Sequence, residues 1–520
     1  MKITKKYLII PVSISAPKQS MQFFENDELV FDLFVHYQAE NPDFLFYQCT
    51  NSIAERDITI KVDDSEITLS QTDTKDDSLC NEIPIRPHIH FTAKRGWIND
   101  PNGLCFDGEK YHMFFQHNPV GVLWGNMHWG HATSKDLLHW EENDDVLFPD
   151  KFGTMYSGSA VVDYKNVSGL GENGKPPLCL LYTSCGDSSN GGNSLLSKGM
   201  ESLQHLAYST DGGETFTKYA NNPIIPEITK ENRDPKVIFA EELQQYIMAL
   251  YLEKNDYLLL TSKDLINWDA KQKLTIPGET ECPDIYPLYA DGKPEERLWI
   301  ISGASDRYLV GTLHPDGKLF RAVQDVKEYQ IGKCNYAAQT FFGINNRRIK
   351  TAWGMTPAPN CIFNNQMAVF TEVSLKKLGQ EYFICTNPIA EYDTVAKKVF
   401  EEKIASKTQF DYPAGAYDIT IEAMDDCEKL EIAIFGKRFA INCSDSFLID
   451  DEKKIPLGYR EHEHQIRIIA DTLSVEMFLD AGLLHYAIPH IGTSGFTVEP
   501  LTGSCKVSIK KFDNLHIGKA

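Results

Sequence analysis

One heptapeptide recurs. Ser134-Lys135-Asp136-Leu137-Leu138-His139-Trp140 returns as Ser262-Lys263-Asp264-Leu265-Ile266-Asn267-Trp268, and a looser copy runs Ser209-Thr210-Asp211-Gly212-Gly213-Glu214-Thr215-Phe216. The Ser-to-Ser intervals are 75 and 53 residues. Ser, Asp and Gly make the turn, and the closing aromatic packs. Repeats of about 40–50 residues with this pattern are typical of propeller blades. A second series runs alongside: positions 97, 156, 233, 282 and 336 each open a short apolar strand, at intervals of 59, 77, 49 and 54 residues. This predicts an all-β chain with a five-bladed β-propeller over 87–392, whose innermost strands point polar residues into one axial pocket.

The flanks alternate apolar and polar residues with period two, as half-buried strands do. Residues 1–86 carry YLIIPVSI, LVFDLFVHY, DITIKV and EITLS and read as a small N-terminal β module. Residues 396–520 carry AYDITIEAM, LEIAIFG, QIRIIADTLSVEMFLDAG and CKVSIKKF and read as a C-terminal β-sandwich. A linker around Pro388–Val395 precedes it. With 520 residues the core needs no disulfide staples. The twelve Cys show no C-x-x-C spacing, so they read as reduced thiols rather than zinc ligands. The first apolar stretch is broken by Pro11 and reads as a strand, so a cytoplasmic location is expected over secretion. A net charge of −22 opposes nucleic-acid and anionic-membrane partners. A neutral small-molecule or oligosaccharide ligand fits better, and homo-oligomers stay open.

The residues able to carry chemistry cluster at the strand openings. Trp97-Ile98-Asn99-Asp100-Pro101-Asn102-Gly103 sets an acid in a tight turn, which by itself reads as a structural turn. It keeps company with Phe115-Gln116-His117-Asn118-Pro119, Trp124-Gly125-Asn126-Met127-His128-Trp129-Gly130-His131 and Tyr156-Ser157-Gly158-Ser159. Flat aromatic faces with amides and hydroxyls suit neutral sugars. Arg233-Asp234-Pro235 and Glu281-Cys282-Pro283 place two further acids at equivalent openings. His128 and His131 lack an obvious third ligand, so no metal is expected.

These motifs together resemble glycoside hydrolase family 32, the invertase, inulinase and levanase family. Trp97–Gly103 is similar to its nucleophile motif, Arg233-Asp234-Pro235 to its second motif and Glu281-Cys282-Pro283 to its acid/base motif. WGNMHWGHATSKDLLHW, YSGSA, NYAAQTF, TAWGM and SVEMFLDAG resemble it too, and the likeness covers most of the chain from 86 onward. Two departures stand out. Tyr329-Gln330-Ile331-Gly332 lacks the acid often found before that Gly, and Tyr156 replaces the usual Phe.

The resemblance implies retaining hydrolysis of terminal β-D-fructofuranosyl residues of sucrose and of inulin- or levan-type fructans. It makes Asp100 the nucleophile, Glu281 the acid/base and Asp234 a stabiliser of the transition state. Asn99, Asn102, Gln116, Trp124, Tyr156, Ser157, Arg233 and Trp353 would line the sugar pocket. No cofactor and no metal is implied. Fructosyl transfer and sucrose 6-phosphate hydrolysis are alternatives within the family. A catalytically silent sugar-binding propeller is the alternative from another class, and the presence of all three acids disfavours it.

Overall fold

The alternating residues form strands almost throughout the computed structural model, which describes residues 1–515 apart from 81–82, 187–193, 425, 444–446, 452, 458–464 and 493. Helix among the described residues is confined to the turn Tyr392–Val395 and two 3-10 turns, Ser78–Cys80 and Asp480–Gly482. The first of these lies in the stretch read as a linker. Its Tyr392 is buried, packs on Phe512 and accepts a hydrogen bond from the Phe370 backbone, so the connection is anchored rather than loose.

Five antiparallel sheets of four main strands follow one another between residues 96 and 388. Their first strands are Gly96–Phe106, Thr154–Val162, Arg233–Ala240, Asp284–Tyr289 and Asn335–Thr340. These lie within two residues of the openings read from the sequence, the scatter expected of element ends. Each first strand neighbours the next, and the fifth returns to the first. The recurring heptapeptide is the turn from third to fourth strand in the first three sheets. It follows His128–Ser134, Ser202–Ser209 and Asp256–Ser262. In each, an Asp carboxylate accepts backbone N–H groups three residues on: Asp136 from His139, Asp211 from Glu214 and Asp264 from Asn267. The closing aromatics pack between sheets, Trp140 stacked on Phe370 at 5.4 Å and Phe216 against Phe114 at 5.6 Å.

The N-terminal residues form two small sheets around a core that includes Leu8, Phe23, Phe31, Leu33 and Phe46. Two strands here lie outside the segments singled out from the sequence, Gln19–Glu25 and Phe44–Cys49, and the segment EITLS divides between Ser65–Ile67 and Ser70–Thr72. The C-terminal residues form a seven-stranded and a six-stranded sheet around a shared apolar core. Gln330–Gly332, the stretch without the acid, pairs in parallel with Leu484–Pro489 of the seven-stranded sheet. Ile331 packs against that core, and a Cβ on Gly332 would meet the Ala487 carbonyl oxygen at 2.0 Å. This stretch is therefore a seam between sheets. All twelve cysteines are buried as free thiols.

A buried charge network ties the C-terminal sheets to the rest. His90 places Nδ1 2.9 Å from Asp471 and Nε2 3.0 Å from Glu476, both carboxylates being fully buried. Glu476 also accepts from Asn335 Nδ2, the Val369 backbone and His485 Nε2. Burial opposes charge on His90, but its bonds to Asp471 and Glu476 outweigh that and raise its pKa to about 9. Burial works against ionised Asp471 as well, yet the His90 bond brings it down to about 2. The stability His90 supplies is complete below its ordinary 6.5 and is lost as pH rises through about 9. That of Asp471 is present above its ordinary 3.8 and is lost as pH falls through about 2. Unfolding by urea is therefore expected to be hardest between these limits. Glu476→Ala, which strands His90 and Asn335, is expected to cost about 3–5 kcal/mol at pH 6. A urea midpoint unchanged by that substitution would contradict the role given to the network.

Candidate active site

The polar groups converge because the first strands lose register at their heads. Pairing with the second strand breaks between Ile98 and Pro101, Met155 and Gly158, Arg233 and Lys236, and Tyr336 and Gln339. A bulge of this kind turns consecutive side chains toward one face and is common beside active sites. Here it presents Asn99 and Asp100, Tyr156 and Ser157, and Asp234. Asp234 sits at φ 63°, and on the approach to the fourth first strand Glu281 sits at φ 51° and Cys282 at 34°. Non-glycine residues in the left-handed region carry strain, and such strain gathers where side chains must be aimed.

The three acids meet around Cys282. Its Sγ lies 3.4 Å from Asp100 Oδ2 and 3.4 Å from Asp234 Oδ2, and its backbone N–H donates to Asp234 Oδ2 at 3.1 Å. Ser157 Oγ donates to Asp100 Oδ2 at 2.6 Å, and Asn99 Nδ2 donates to Oδ1 at 3.1 Å. Tyr336 Oη donates to Glu281 Oε1 at 3.3 Å. The Arg233 guanidinium lies 3.7 Å from both Asp234 and Glu281, over the Tyr251 ring, and is braced by Glu231. Asp234 is 5% exposed; Asp100 and Glu281 are half-buried.

Burial sets the electrostatics. It raises the Glu281 carboxyl; Arg233 pulls it back down and the negative charge of Asp100 adds to the rise. It raises Asp234 to about 7 against the same guanidinium, with Asp100 and Glu281 contributing upward. The Cys282 thiol is pushed well above its ordinary value by burial and by the acids around it, so it stays protonated beside them. Asp234, Glu281 and Cys282 bring one ligand atom each within 4.8 Å of one another, as a metal site would. A guanidinium 3.7 Å from two of these donors and a protonated thiol as the third disfavour a cation there.

The remaining residues read from the sequence fall around this centre. With its oxygen turned to Gln116, the Asn102 amide accepts from Gln116 Nε2 at 2.9 Å and donates to Ser157 Oγ at 3.2 Å. Trp124 meets Tyr156 edge-on at 6.2 Å, in a cluster with Met127, Cys185 and Trp97. Trp353 meets Trp97 at 5.8 Å and Tyr336 at 6.2 Å, and its buried Nε1–H has no acceptor among the described residues. Cys282, Tyr336, Thr183 and Trp97 join the site beyond the residues expected from the sequence. Thr183 Oγ1 accepts from the Asp234 N–H at 2.9 Å, and Trp97 Nε1 donates to Asn99 Oδ1 at 2.9 Å. Cys282, Tyr336 and Trp97 lie inside motifs legible in the sequence, whereas Thr183 has no local signal. His131 bonds to His112 and His128 to the Asn126 carbonyl, both away from the acids. A cavity of about 930 Å³ also lies apart from the acids, between the N-terminal sheets and the first two large sheets. Its charges are largely matched within it, as in Lys6–Asp144, Lys94–Asp77 and Lys218–Asp150.

Comparison with known proteins gives a consistent result. Residues 90–386 match the glycosyl hydrolases family 32 N-terminal domain. The chain is 33% identical over 383 residues to a levanase from Bacillus subtilis, covering 67% of this chain and 54% of that protein. It is 32% identical over 324 residues to an invertase from Schizosaccharomyces pombe, covering 57% and 54%. Its matches thus span about half the length of these curated relatives. Among solved structures, exo-inulinase from Aspergillus awamori superposes with a TM-score of 0.75 at 24% identity, over 84% of this chain and 99% of that one. The chain shares the β-propeller and β-sandwich fold of such neighbours.

Arg233 is the guanidinium that restrains both raised carboxyls. In Arg233→Met the pKa values of Glu281 and Asp234 are therefore expected to rise together, read by NMR titration of carboxyl-labelled protein. A fall or no change would remove Arg233 from the charge balance.

Proposed function

Because the chain belongs to glycosyl hydrolase family 32, we propose that it is an exo-acting retaining β-fructofuranosidase, releasing terminal fructose from sucrose and from inulin- or levan-type fructans. The observation that carries this reading is the meeting of Asp100, Asp234 and Glu281 around one thiol, with Arg233 beside two of them. The names levanase, invertase and exo-inulinase among its relatives support the substrate class. In this reading the five sheets are five blades, and the chain divides into a β module at 1–86, a catalytic propeller at 87–392 and a sandwich at 396–520.

Asp100 attacks the anomeric C2 of fructose while the C2–O bond to the departing sugar breaks. Glu281 gives its proton to that oxygen. The resulting fructosyl ester is cleaved by water, which loses a proton to Glu281 as its oxygen bonds to C2. Ser157 and Asn99 hold the attacking carboxylate by its two oxygens. The rise in the Glu281 pKa suits a group that must carry a proton before the first step. Asp234, fixed by the Cys282 and Thr183 contacts, binds fructose hydroxyls and stabilises the oxocarbenium-like transition state. The Trp353 indole N–H and the Gln116–Asn102 amide pair supply further partners for hydroxyls.

A panel of sucrose, sucrose 6-phosphate, inulin and levan tests the reading, with fructose release and its anomeric form followed by NMR. Release from sucrose and at least one fructan, with retained configuration, is expected. Release from none, inversion, or transfer outweighing hydrolysis would overturn it. Asp100→Asn keeps the shape but cannot form the ester, so turnover is expected to vanish while the melting temperature holds. Glu281→Gln is expected to slow natural substrates by roughly 10²–10⁴-fold. It should slow an aryl fructoside much less, because a good leaving group needs little protonation. Equal losses on both substrates would exclude the acid/base role.

A further inference from the structure

We propose that the N-terminal β module is a clamp that positions the aromatic wall of the pocket and thereby sets affinity for the fructoside, an inference that rests on the fructosidase reading. Glu28–Val35 is the end strand of a four-stranded sheet. An end strand leaves backbone groups unpaired, which must be covered or solvated. Two side-chain connections are made at this strand, one covering its edge from outside and one leaving it, and each holds one flank of the same wall.

On one flank, Asn126 takes the place of a neighbouring strand. Its Oδ1 accepts from the Phe34 N–H at 2.8 Å, and its Nδ2 donates to the Phe34 carbonyl at 2.8 Å. Asn126 stands two residues after Trp124 and directly before Met127. The same loop is fixed from the other side, where Asn118 donates to the Leu123 carbonyl, and Val120 is buried in the apolar core of the N-terminal module. On the second flank, the 3%-exposed carboxylate of Asp32 leaves the strand two residues earlier. It accepts from Ser194 Oγ, from the Leu195 N–H at 2.7 Å and from the Leu196 N–H at 3.1 Å. The segment so held packs back on the wall, since Ser197 and Met200 close around Gly186, the neighbour of Cys185.

Between the two flanks lies the cluster of Met127, Tyr156 and Cys185 with Trp97 and Trp124. Tyr156 precedes Ser157, which holds Asp100. The wall is therefore adjacent to the nucleophile, yet the clamp touches none of the three acids. A buried carboxylate that satisfies three donors is costly to lose, because the donors are left unpaired. Release of the clamp should then loosen the wall and weaken sugar binding, while the carboxylate chemistry is retained.

The test uses the full chain with Asp32→Ala, Asp32→Asn and Asn126→Gly, the last of which removes both bonds to Phe34 and keeps the positive φ of 48° accessible. Amide hydrogen exchange is expected to quicken by about tenfold or more in 194–200 for Asp32→Ala and in 119–127 for Asn126→Gly. KM for sucrose and fructan is expected to rise roughly tenfold with kcat changed less than about twofold, the pattern of lost uniform binding. Asp32→Asn keeps one acceptor oxygen and should recover part of both effects. If Asp32→Ala does not fold, Asn126→Gly carries the test. Unchanged exchange in the clamped segments, or a wild-type KM in the folded variants, overturns the clamp. Absence of fructose release by the unmodified protein would instead overturn the fructosidase reading, and the exchange measurement would still decide whether the module holds the wall.

Discussion

The five first strands lie side by side without forming a common sheet, although the first bridges through Cys105 to Phe342 just past the fifth, so their inward polar groups are bonded largely by side chains. A closed series of such bonds runs around the axis. Asn102 reaches Ser157; Ser159 donates to the Pro235 carbonyl and accepts from the Val237 N–H. The buried Lys236 lies 3.3 Å from Asp284, which accepts from the Thr340 N–H at 2.6 Å. Gln339 closes the circle, accepting from the Leu104 N–H and donating to the Gly158 carbonyl. Each bond joins two sheets that share no ladder. Burial lowers the Lys236 ammonium to about 8 against the pull of Asp284, a measure of how dry this axis is. A buried donor or acceptor left unpaired costs about 1–3 kcal/mol, so the ring holds the strand heads in fixed relation.

That fixed relation is what lets three carboxyls stand together. Like charges in a dry pocket repel, and here the repulsion is met by one guanidinium, two hydroxyls and a backbone N–H, and it raises the Glu281 and Asp234 carboxyls. The left-handed backbone at Asp234, Glu281 and Cys282 shows where the fold gives up local preference to aim these groups. Strain of about 1–3 kcal/mol at each such residue persists only because the ring and the sheet cores around it leave no alternative.

The flanking sheets act on this centre at a distance. From the C-terminal side, Glu476 holds Asn335, which opens the strand bearing Tyr336 and through it touches Glu281. From the N-terminal side, Asp32 and the edge of Glu28–Val35 hold the segments beside Trp124 and Tyr156. The three acids thus sit on, or just before, strands cross-linked to one another, while Trp124 and Tyr156 sit on segments braced by the outer parts of the chain.

Much of this was legible in the sequence. The heptapeptide repeat located three turns because Ser, Asp and an aromatic can do little else at that spacing. Period-two alternation located strands in both flanks, among them Tyr7–Val12, Glu28–Val35, Tyr417–Ala423 and Cys505–Phe512, and the openings at 97, 156, 233, 282 and 336 fell within two residues of the strand heads, because strand formation depends on local pattern. The acids were visible because turn residues beside aromatics are a local signature. Other features depended on parts of the chain distant in sequence. The roles of Thr183 beneath Asp234 and of Cys282 between two carboxylates could not be read locally, because each is defined by a partner on another sheet. The same holds for Asp32, an unremarkable acid within a strand until the fold sets it against Ser194, Leu195 and Leu196. The missing acid near Gly332 turned out to mark a seam with the C-terminal sheet, which no reading of four residues could reveal. Local composition determined which segments become strands and where polar residues stand on them. Tertiary structure alone decided which of those residues meet, how dry their meeting place is, and therefore which of them hold a proton.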